Sequence, residues 1–410
     1  METSQEKKGS VVGGILLISG SCVGAGMLGL PILTGLVGFF PSILLFVLIC
    51  FFMTSAGLLI TEVDQWFHGR TNFITMVSSL LGPVGKFVCW VLYLFLFYAL
   101  LVAYIALSGV HFSSILTHLD MSVPRWLGSV LFVLLFGWFV YLGTRSVDLL
   151  NRSLMIVKII AFIGLIAVGF HFVQPKLLEY MDLRYSVAAL PILITSFGFQ
   201  NMIPTLSHYL GGDIKRIKQS IIGGAVFTLL IYLVWQVISL GTLPIAGEYG
   251  ILWSYKRGID AAEAIKNYVS SPWIGSFSAA LAFFAILTSF LAQTMTLVHF
   301  LGDGMRIAHK KRENIWLCGL ALIPPLLFAI IKPEIFYKAL NFAGGVCAVV
   351  IFGILPVLMI WRGRYFQGKD FPYQVRGGKG LLLVLFLIAT FILFYQITVM
   401  FNFSLFPSPN

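Results

Sequence analysis

Two stretches of this sequence contain residue types whose backbone could bind small charged groups. They are residues 20–26 and 195–200, and each combines glycine with small or aromatic residues inside a long apolar run. Glycine lets a helix unwind at such a point. Unwound N–H and C=O groups are tolerated at membrane depth only where they line a cavity or bind a ligand. The pattern therefore predicts a ligand site at the two breaks.

The chemistry of a broken helix favours a ligand that carries both charges. A helix that restarts after a break presents unpaired N–H groups and the positive end of its dipole, which attract a carboxylate. Unwound carbonyl oxygens can hold an ammonium group, so a zwitterionic amino acid fits. The alternative is that Gly20 and Gly24 only allow close helix packing. The candidate substrate-binding residues at the breaks are Ser21, Cys22, Val23, Gly24, Ala25, Gly26, Phe197, Gly198, Phe199 and Gln200.

Three further side chains in apolar segments could take part in ion coupling. Lys158 lies in the apolar run 156–160, and an ionisable residue inside a membrane span indicates function by default. Thr288 and Ser289, in another apolar run, could complete the same site. Lys158 could instead reach the interface, because Arg152 is only six residues away. The two hydroxyls could equally bond to their own helix backbone.

The composition places these residues in a polytopic membrane protein. Hydrophobic residues make up 59% of the 410 residues and charged residues only 10%, against about 25% charged in soluble domains. Despite the net charge of +11, the basic residues lie in short loops, so a lipid bilayer and no nucleic acid is the expected partner. Cysteine spacing predicts no metal site, and the scattered carboxylates predict no catalytic residues.

Eleven apolar segments are long enough to cross a bilayer. They predict an all-α membrane protein with a single transmembrane transporter domain over residues 1–410. The segments are 11–33, 37–60, 86–109, 126–143, 153–173, 187–209, 219–241, 275–299, 314–331, 336–361 and 380–402.

The breaks fall in the first and sixth segments, and this spacing predicts an internal repeat. A five-helix unit repeated once reverses its orientation, and such inverted repeats place the site at the midplane. Repeat one covers about 11–175, repeat two about 186–362, and one extra helix about 380–402. With the N-terminus inside, 18 Lys and Arg residues fall in inner segments and 8 in outer loops. This bias predicts a cytoplasmic N-terminus and a C-terminus on the other side.

Four motifs resemble the hydroxy/aromatic amino acid permease family, the bacterial tryptophan and tyrosine carriers. The resemblance covers essentially the whole chain, including the number of spans. Its motifs are 24–28 with Leu30-Pro31, 196–199 with Pro204, 98–105, and 288–291.

The resemblance implies an inverted-repeat fold of leucine-transporter type in a bacterial inner membrane, with a periplasmic C-terminus. It implies a secondary active transporter that imports tyrosine and/or tryptophan by proton symport through alternating access. No cofactor is expected, because a proton gradient would drive transport. In similar carriers a lysine on the fifth helix replaces a sodium ion, which implies a coupling role for Lys158, and a tyrosine on the third helix binds substrate, which implies a role for Tyr98. No oligomeric state is predicted.

Several alternatives stay open at this point. A sodium-coupled or broader-specificity amino acid carrier would have the same broken helices. An integral membrane transferase would instead need acids, histidines or a metal converging at one face. Many relatives have a histidine after Phe199, where this chain has Gln200. Phe199, Gln200 and Tyr98 are the predicted determinants of side-chain selectivity.

Overall fold

The computed structural model describes residues 9–67, 71–117, 120–121, 123–305, 307, 315–369, 371–401 and 403. Within these ranges the protein is helical, apart from an isolated bridge between Gly38 and Met181. Part of the predicted charge bias lies outside the described residues, as do both chain ends. The basic residues concerned are Lys7, Lys8, Arg70, Arg306, Lys310, Lys311 and Arg312.

The first span is broken as predicted. Helix α1 (Val11–Cys22) and helix α2 (Ala25–Gly35) meet at an angle of 60°. Helix α1 starts at Ser10, whose hydroxyl accepts a hydrogen bond from the Gly13 N–H at 3.0 Å. Every residue of α2 is buried, whereas α1 has exposed positions along its length. The half after the break is therefore enclosed by the rest of the bundle.

The second break is also confirmed. Helix α7 (Leu190–Ser196) ends before Phe197, and helix α8 (Ile203–Tyr209) begins after a short 3₁₀ turn at Gln200–Met202. Proline lies in the first turn of each half. At that position no N–H takes part in a helical hydrogen bond, so the N–H that proline lacks is not needed. The chain between the two halves is free to present its backbone to a ligand.

The remaining long helices form the bundle around these breaks. Together with α7–α8, they make eight helices or continuous runs in the described chain that are long and apolar enough to span a membrane. The broken pair α1–α2 makes nine. The long helices are α3 (Phe39–Asp64), α4 (Phe73–Thr117), α6 (Thr144–Gly169), α9 (Ile214–Thr242), α12 (Pro272–Met305) and α16 (Gly378–Met400). One further run is continuous and consists of α14 (Phe336–Phe342), a π-helix (Ala343–Ile354) and α15 (Leu355–Tyr365).

Two further apolar helices correspond to the shortest predicted spans. They are α5 (Arg125–Tyr141) and α13 (Ile315–Ile331), each of 17 residues. Both are shorter than the 20 or so residues that usually cross the hydrocarbon core. The number eleven therefore stays a prediction.

Helix α4 begins earlier than the sequence prediction of 86. Asn72 caps it by accepting hydrogen bonds from the N–H and hydroxyl of Thr75, at 2.8 and 2.9 Å. The chain then turns at Gly82, whose φ of 76° lies in the region that favours glycine. The first segment buries one apolar face at helical spacing, a pattern that a search for long apolar runs does not detect. These buried residues are Phe73, Met76, Val77 and Leu80.

The π-helix over Ala343–Ile354 is another feature that the sequence did not predict. It packs against α7, and its Gly344 lies so close to that helix that a Cβ there would be 1.8 Å from the Pro191 carbonyl oxygen. Only glycine allows this approach. Because π-turns widen a helix and often occur at functional sites, its position beside the second break is relevant to the site described below.

The connection 243–271 holds two short helices, α10 (Ile251–Arg257) and α11 (Ala261–Tyr268). Asp260 caps α11 by accepting from the N–H groups of Ala262 and Glu263. Its other oxygen lies 2.6 Å from Nε2 of His111 on α4, and both side chains are buried. This contact fixes the connection to the end of α4, so it covers one side of the bundle.

A buried ion pair joins α3 to α15. Both oxygens of Glu62 bind the Arg364 guanidinium, with Nε to Oε1 at 2.6 Å, and Oε2 also accepts from the Val375 N–H at 2.7 Å. Side-chain exposures are 1% for Glu62 and 8% for Arg364. The structure therefore assigns Glu62 to an ion pair that joins two helices.

We expect Glu62→Gln to destabilise the protein strongly. Removing one partner leaves the other charge buried without compensation, which costs about 3–5 kcal/mol. Thermal unfolding of the purified protein in detergent measures the effect. Asp148→Ala is the matched control: its pair with Arg152 has side-chain exposures of 54% and 76%, and such exposed pairs contribute about 0–1 kcal/mol. Equal melting temperatures for the two variants would contradict this account.

Candidate functional site

The two breaks meet at a cavity of about 150 Å³. Nine of the residues singled out in the sequence line it, and they come from four segments of the chain. They are Ser21, Cys22, Val23, Gly24, Gly26, Lys158, Gly198, Thr288 and Ser289. The structure thus brings together the first break, the second break, α6 and α12.

The cavity extends from the breaks toward one end of the bundle, here called the α1 side, where α1 begins. Toward that end the lining includes Gly20 on α1, Asn151 on α6 and Thr296 on α12. The starts of α1 and α9 are joined there by the Arg216 guanidinium, which donates to the Gly9 carbonyl at 2.6 Å. On the opposite side α2 is wholly buried. Helix α2 is therefore enclosed, whereas the cavity lining includes residues on the α1 side of the breaks.

A single hydroxyl joins the two breaks. The Tyr232 oxygen on α9 lies 2.8 Å from the Cys22 carbonyl oxygen and 2.8 Å from the Ser196 carbonyl oxygen. Both carbonyls belong to residues where a helix ends, so neither has its usual helical partner. Tyr232 is fully buried and stacks edge-on against Phe197 at 5.1 Å. Its O–H donor thus stabilises the relative position of the two unwound segments.

Tyr232→Phe is expected to reduce substrate affinity while the ring packing is kept. The change leaves the Ser196 carbonyl without its donor, at a cost of about 1–3 kcal/mol, whereas the Cys22 carbonyl keeps the Gly24 N–H at 2.8 Å. Binding of a labelled amino acid to purified protein measures it. Tyr337→Phe is the control, because that buried hydroxyl donates to the Ile259 carbonyl and lies outside the cavity lining. An unchanged affinity in Tyr232→Phe would show that the breaks do not need this donor.

The first break is also held by α12. The Ala25 N–H, the first of helix α2, donates to Ser289 Oγ at 3.0 Å. Gly24 is tightly placed between them: a Cβ at Gly24 would lie 2.4 Å from that same oxygen. A side chain at position 24 would therefore displace Ser289 or the break itself.

Lys158 contacts the unwound backbone directly. Its Nζ donates to the Val23 carbonyl at 2.7 Å, and the residue is only 3% exposed. Val23 lies between α1 and α2, so its carbonyl is one of those that the break frees. Thr288, on the neighbouring helix, donates to the Phe284 carbonyl of its own helix at 2.9 Å. The Lys158 ammonium therefore lies at the break. It does not reach toward the membrane interface, which was the alternative interpretation of the sequence.

Tyr98 does not reach the cavity. Its hydroxyl donates to the Leu320 carbonyl on α13 at 2.8 Å. The tyrosines of α4 that line the cavity are Tyr93 and Tyr104, on the opposite face of the helix. The sequence prediction for Tyr98 is therefore corrected: α4 is turned so that position 98 packs against a neighbouring helix.

The aromatic residues of the second break and Gln200 also lie outside the cavity lining. Phe197 packs against Phe46 and Tyr232, and Phe199 lies against Gly57. Gln200 is fully buried, and its Nε2 donates to the Met53 carbonyl at 3.0 Å. The predicted contribution of these side chains to selectivity is corrected accordingly, because they fix the break to α3.

Several lining residues were missed in the sequence. Those on α4 recur at helical spacing and form one continuous face, a signal that was present but hidden in an all-apolar helix. The others are polar and small or apolar residues on α6, α7, α12 and the second break, together with two residues of the π-helix. The missed residues are Tyr93, Leu96, Phe97, Leu100, Tyr104, Asn151, Met155, Thr195, Ser196, Asn201, Met202, Ala292, Gln293, Thr296, Ala348 and Phe352, with Gly20, which the sequence analysis considered only for packing.

The sequence of this chain is similar to the sequences of known membrane transport proteins. A family model described as the tryptophan/tyrosine permease family matches residues 7–396. The chain belongs to this family. Among curated proteins, this permease is similar to tyrosine-specific transport system 2 of Haemophilus influenzae, with 32% identity covering 94% of this chain and 96% of that protein. It is 31% identical to the tryptophan-specific transport protein of the same species, over 92% and 93% of the two chains.

The fold of the permease is shared with a solved structure. MhsT in complex with L-phenylalanine superposes with a TM-score of 0.66 at 14% identity, over 96% of this chain and 99% of that one. The predicted leucine-transporter-type fold is thereby confirmed. The protein is a multi-pass membrane transporter of amino acids, so the alternative of a membrane transferase is excluded.

Proposed function

We propose that this permease imports tyrosine and/or tryptophan by proton symport through alternating access. The observation that carries the proposal is the cavity where two broken helices meet, with Lys158 bound to the Val23 carbonyl at its edge. Relatives named as tyrosine-specific and tryptophan-specific transport proteins support the substrate class. The charge bias supports a bacterial inner membrane with the N-terminus in the cytoplasm and the C-terminus in the periplasm.

The amino and carboxylate groups of the substrate fit the broken backbone. The N-terminal end of α2 favours a carboxylate there. Ser196 Oγ lies close by, since a Cβ at Gly26 would be 3.3 Å from it, and this buried oxygen has no hydrogen-bond partner among the described residues. A substrate carboxylate would accept from that hydroxyl. A carbonyl oxygen has two lone pairs, so those at 22–23 and 195–198 would accept from the ammonium group beside their present donors.

The aromatic ring of the substrate fits the apolar wall of the cavity. Leu96, Phe97 and Leu100 on α4 line it together with Phe352 and Ala348 of the π-helix. Aromatic side chains gain both burial and favourable ring contacts in such surroundings. This wall also explains why the π-helix lies beside the second break.

Lys158 is proposed as the proton-coupling group, with Thr288 and Ser289 as its neighbours on α12. In its charged form the ammonium donates to the Val23 carbonyl and stabilises the break in the observed position. Loss of the proton weakens that bond, so the protonation state would bias the equilibrium between the two access states. The buried α2 on one side of the breaks and the cavity lining on the α1 side support a carrier in which one gate is closed.

Uptake into proteoliposomes tests the proposal. Labelled tyrosine and tryptophan are supplied under a proton gradient and, separately, under a sodium gradient. We expect a proton gradient to drive uphill accumulation of at least one of them without sodium. Accumulation driven by sodium alone would establish the sodium-coupled alternative, and no uptake of either amino acid would overturn the proposed function.

A further inference from the structure

Three of the residues that line the cavity carry a buried amide oxygen without a partner among the described residues. One of them, Asn151 on α6, precedes Lys158 by seven residues, about 10 Å along the helix, and so lies farther from the breaks than the other two. Asn201 Oδ1, just after the second break, and Gln293 Oε1, on α12, are buried and have no hydrogen bond to any part of the chain that the structure describes. Both residues line the cavity. A buried acceptor without a donor costs free energy comparable to a lost hydrogen bond, so each oxygen needs a partner that the protein itself does not supply.

The position of these oxygens matches the far end of a bound side chain. Gln293 follows Ser289 by four residues, which is about 6 Å along a helix. Ser289 holds the Ala25 N–H at the start of α2, where the substrate carboxylate is proposed to bind. Asn201 follows Gly198 by three residues on the opposite wall. Both therefore lie about one helical turn from the backbone site on the α1 side, within the reach of an aromatic side chain.

The chemistry of an unpaired acceptor distinguishes aromatic side chains. The phenol of tyrosine and the indole of tryptophan each donate one hydrogen bond, whereas the ring of phenylalanine donates none. Bound phenylalanine would leave the amide oxygens without a donor from its ring. Sites built to bond a polar substrate group reject the analogue that lacks it far more strongly than sites that sense size alone.

We infer that Asn201 and Gln293 determine selectivity by accepting a hydrogen bond from the substrate ring, so that tyrosine and tryptophan are preferred over phenylalanine. This inference rests on the proposed function and adds to it the polar half of the side-chain pocket. It replaces the selectivity that the sequence assigned to Gln200, which faces α3.

Gln200 provides a matched control within the same chain. Its Oε1 is also buried without a partner in the described residues, but the residue lies outside the cavity lining. If the unpaired oxygens at 201 and 293 acted only through the stability of the protein, Gln200→Met would have the same effect as Gln293→Met. If they act through the substrate, only the cavity residues change selectivity.

The experiment is competition for labelled tyrosine uptake in proteoliposomes by unlabelled tyrosine, tryptophan and phenylalanine. The variants are Asn201→Leu and Gln293→Met, which keep side-chain size and remove the amide, with Gln200→Met as control. We expect each cavity variant to lower the preference for tyrosine and tryptophan over phenylalanine roughly 5- to 100-fold. The control should keep the wild-type ratio, whatever its expression level.

A second measurement uses the unaltered protein and so does not depend on how the variants fold. O-methyltyrosine cannot donate from its ring oxygen, and we expect it to compete as weakly as phenylalanine. Equal losses for all three amino acids in the cavity variants, or unchanged ratios, would overturn the inference while leaving the proposed function intact. Absence of tyrosine and tryptophan uptake in the wild-type protein would overturn the proposed function itself.

Discussion

Gly24→Val is expected to abolish uptake while the protein still inserts and folds. A Cβ at Gly24 would lie 2.4 Å from Ser289 Oγ, and valine adds two further methyl groups. The break cannot accommodate them without losing the hydrogen bond from the Ala25 N–H to Ser289. That N–H begins α2, so the site for the substrate carboxylate would move with it. We expect uptake to fall at least 100-fold, a loss of about 2.7 kcal/mol or more.

Control variants separate this effect from the general cost of replacing glycine in a helix. Gly319→Ala on α13 places its Cβ 3.6 Å from the end of Ile323, an ordinary contact outside the cavity lining. It should keep most of its transport. Gly26→Val should behave like Gly24→Val, since its Cβ would crowd Ser196. Normal uptake by both break variants would show that the substrate does not bind at this segment.

Lys158→Ala is expected to lose proton-driven accumulation but to keep exchange. The variant removes the ammonium that donates to the Val23 carbonyl, and with it the titratable group at the break. Uphill uptake requires that a proton change the equilibrium between access states, whereas exchange of internal for external amino acid does not. Net accumulation and exchange are measured in the same proteoliposomes over a range of external pH. Accumulation should become independent of the proton gradient.

Arg152→Ala is the control for the loss of one positive charge on α6. Its guanidinium is 76% exposed and pairs only with Asp148 on the same helix among the described residues. It should accumulate substrate with the wild-type dependence on pH. If Lys158→Ala accumulated substrate with that same dependence, another group would have to carry the coupling.

The fold of this permease could be predicted from the sequence because its strongest signals are local. Long apolar runs mark the spans, and glycine beside proline marks the two breaks. The start of α4 at Phe73 was missed because its apolar residues recur only on one face and are not continuous. The π-helix was missed because its Ala-Gly-Gly start is equally compatible with an α-helix, and only packing against α7 selects the wider form.

The site could be predicted at the backbone and only in part at the side chains. The breaks and Lys158 could be singled out because each is unusual in an apolar span, and the structure places them at one cavity; their roles there stay predictions. Tyr98 and Gln200 lie outside the cavity lining. The sequence does not show which face of the apolar helix α4 meets the cavity, nor which side of the unwound turn at Gln200 does so. That rotation is set by contacts between distant segments, such as Gln200 with Met53. The orphan oxygens of Asn201 and Gln293 likewise become visible only once the cavity is known.

The positions of the cysteines give this permease a built-in reporter of gate opening. All five are buried and none forms a disulfide, and among the described residues Cys22 is the one cysteine that lines the cavity. A water-soluble maleimide added from one side of a vesicle can therefore reach Cys22 through the cavity when that side is open. Its labelling rate would follow the exposure of the break in the native protein, with no engineered thiol, and a bound amino acid that fills the cavity would slow it.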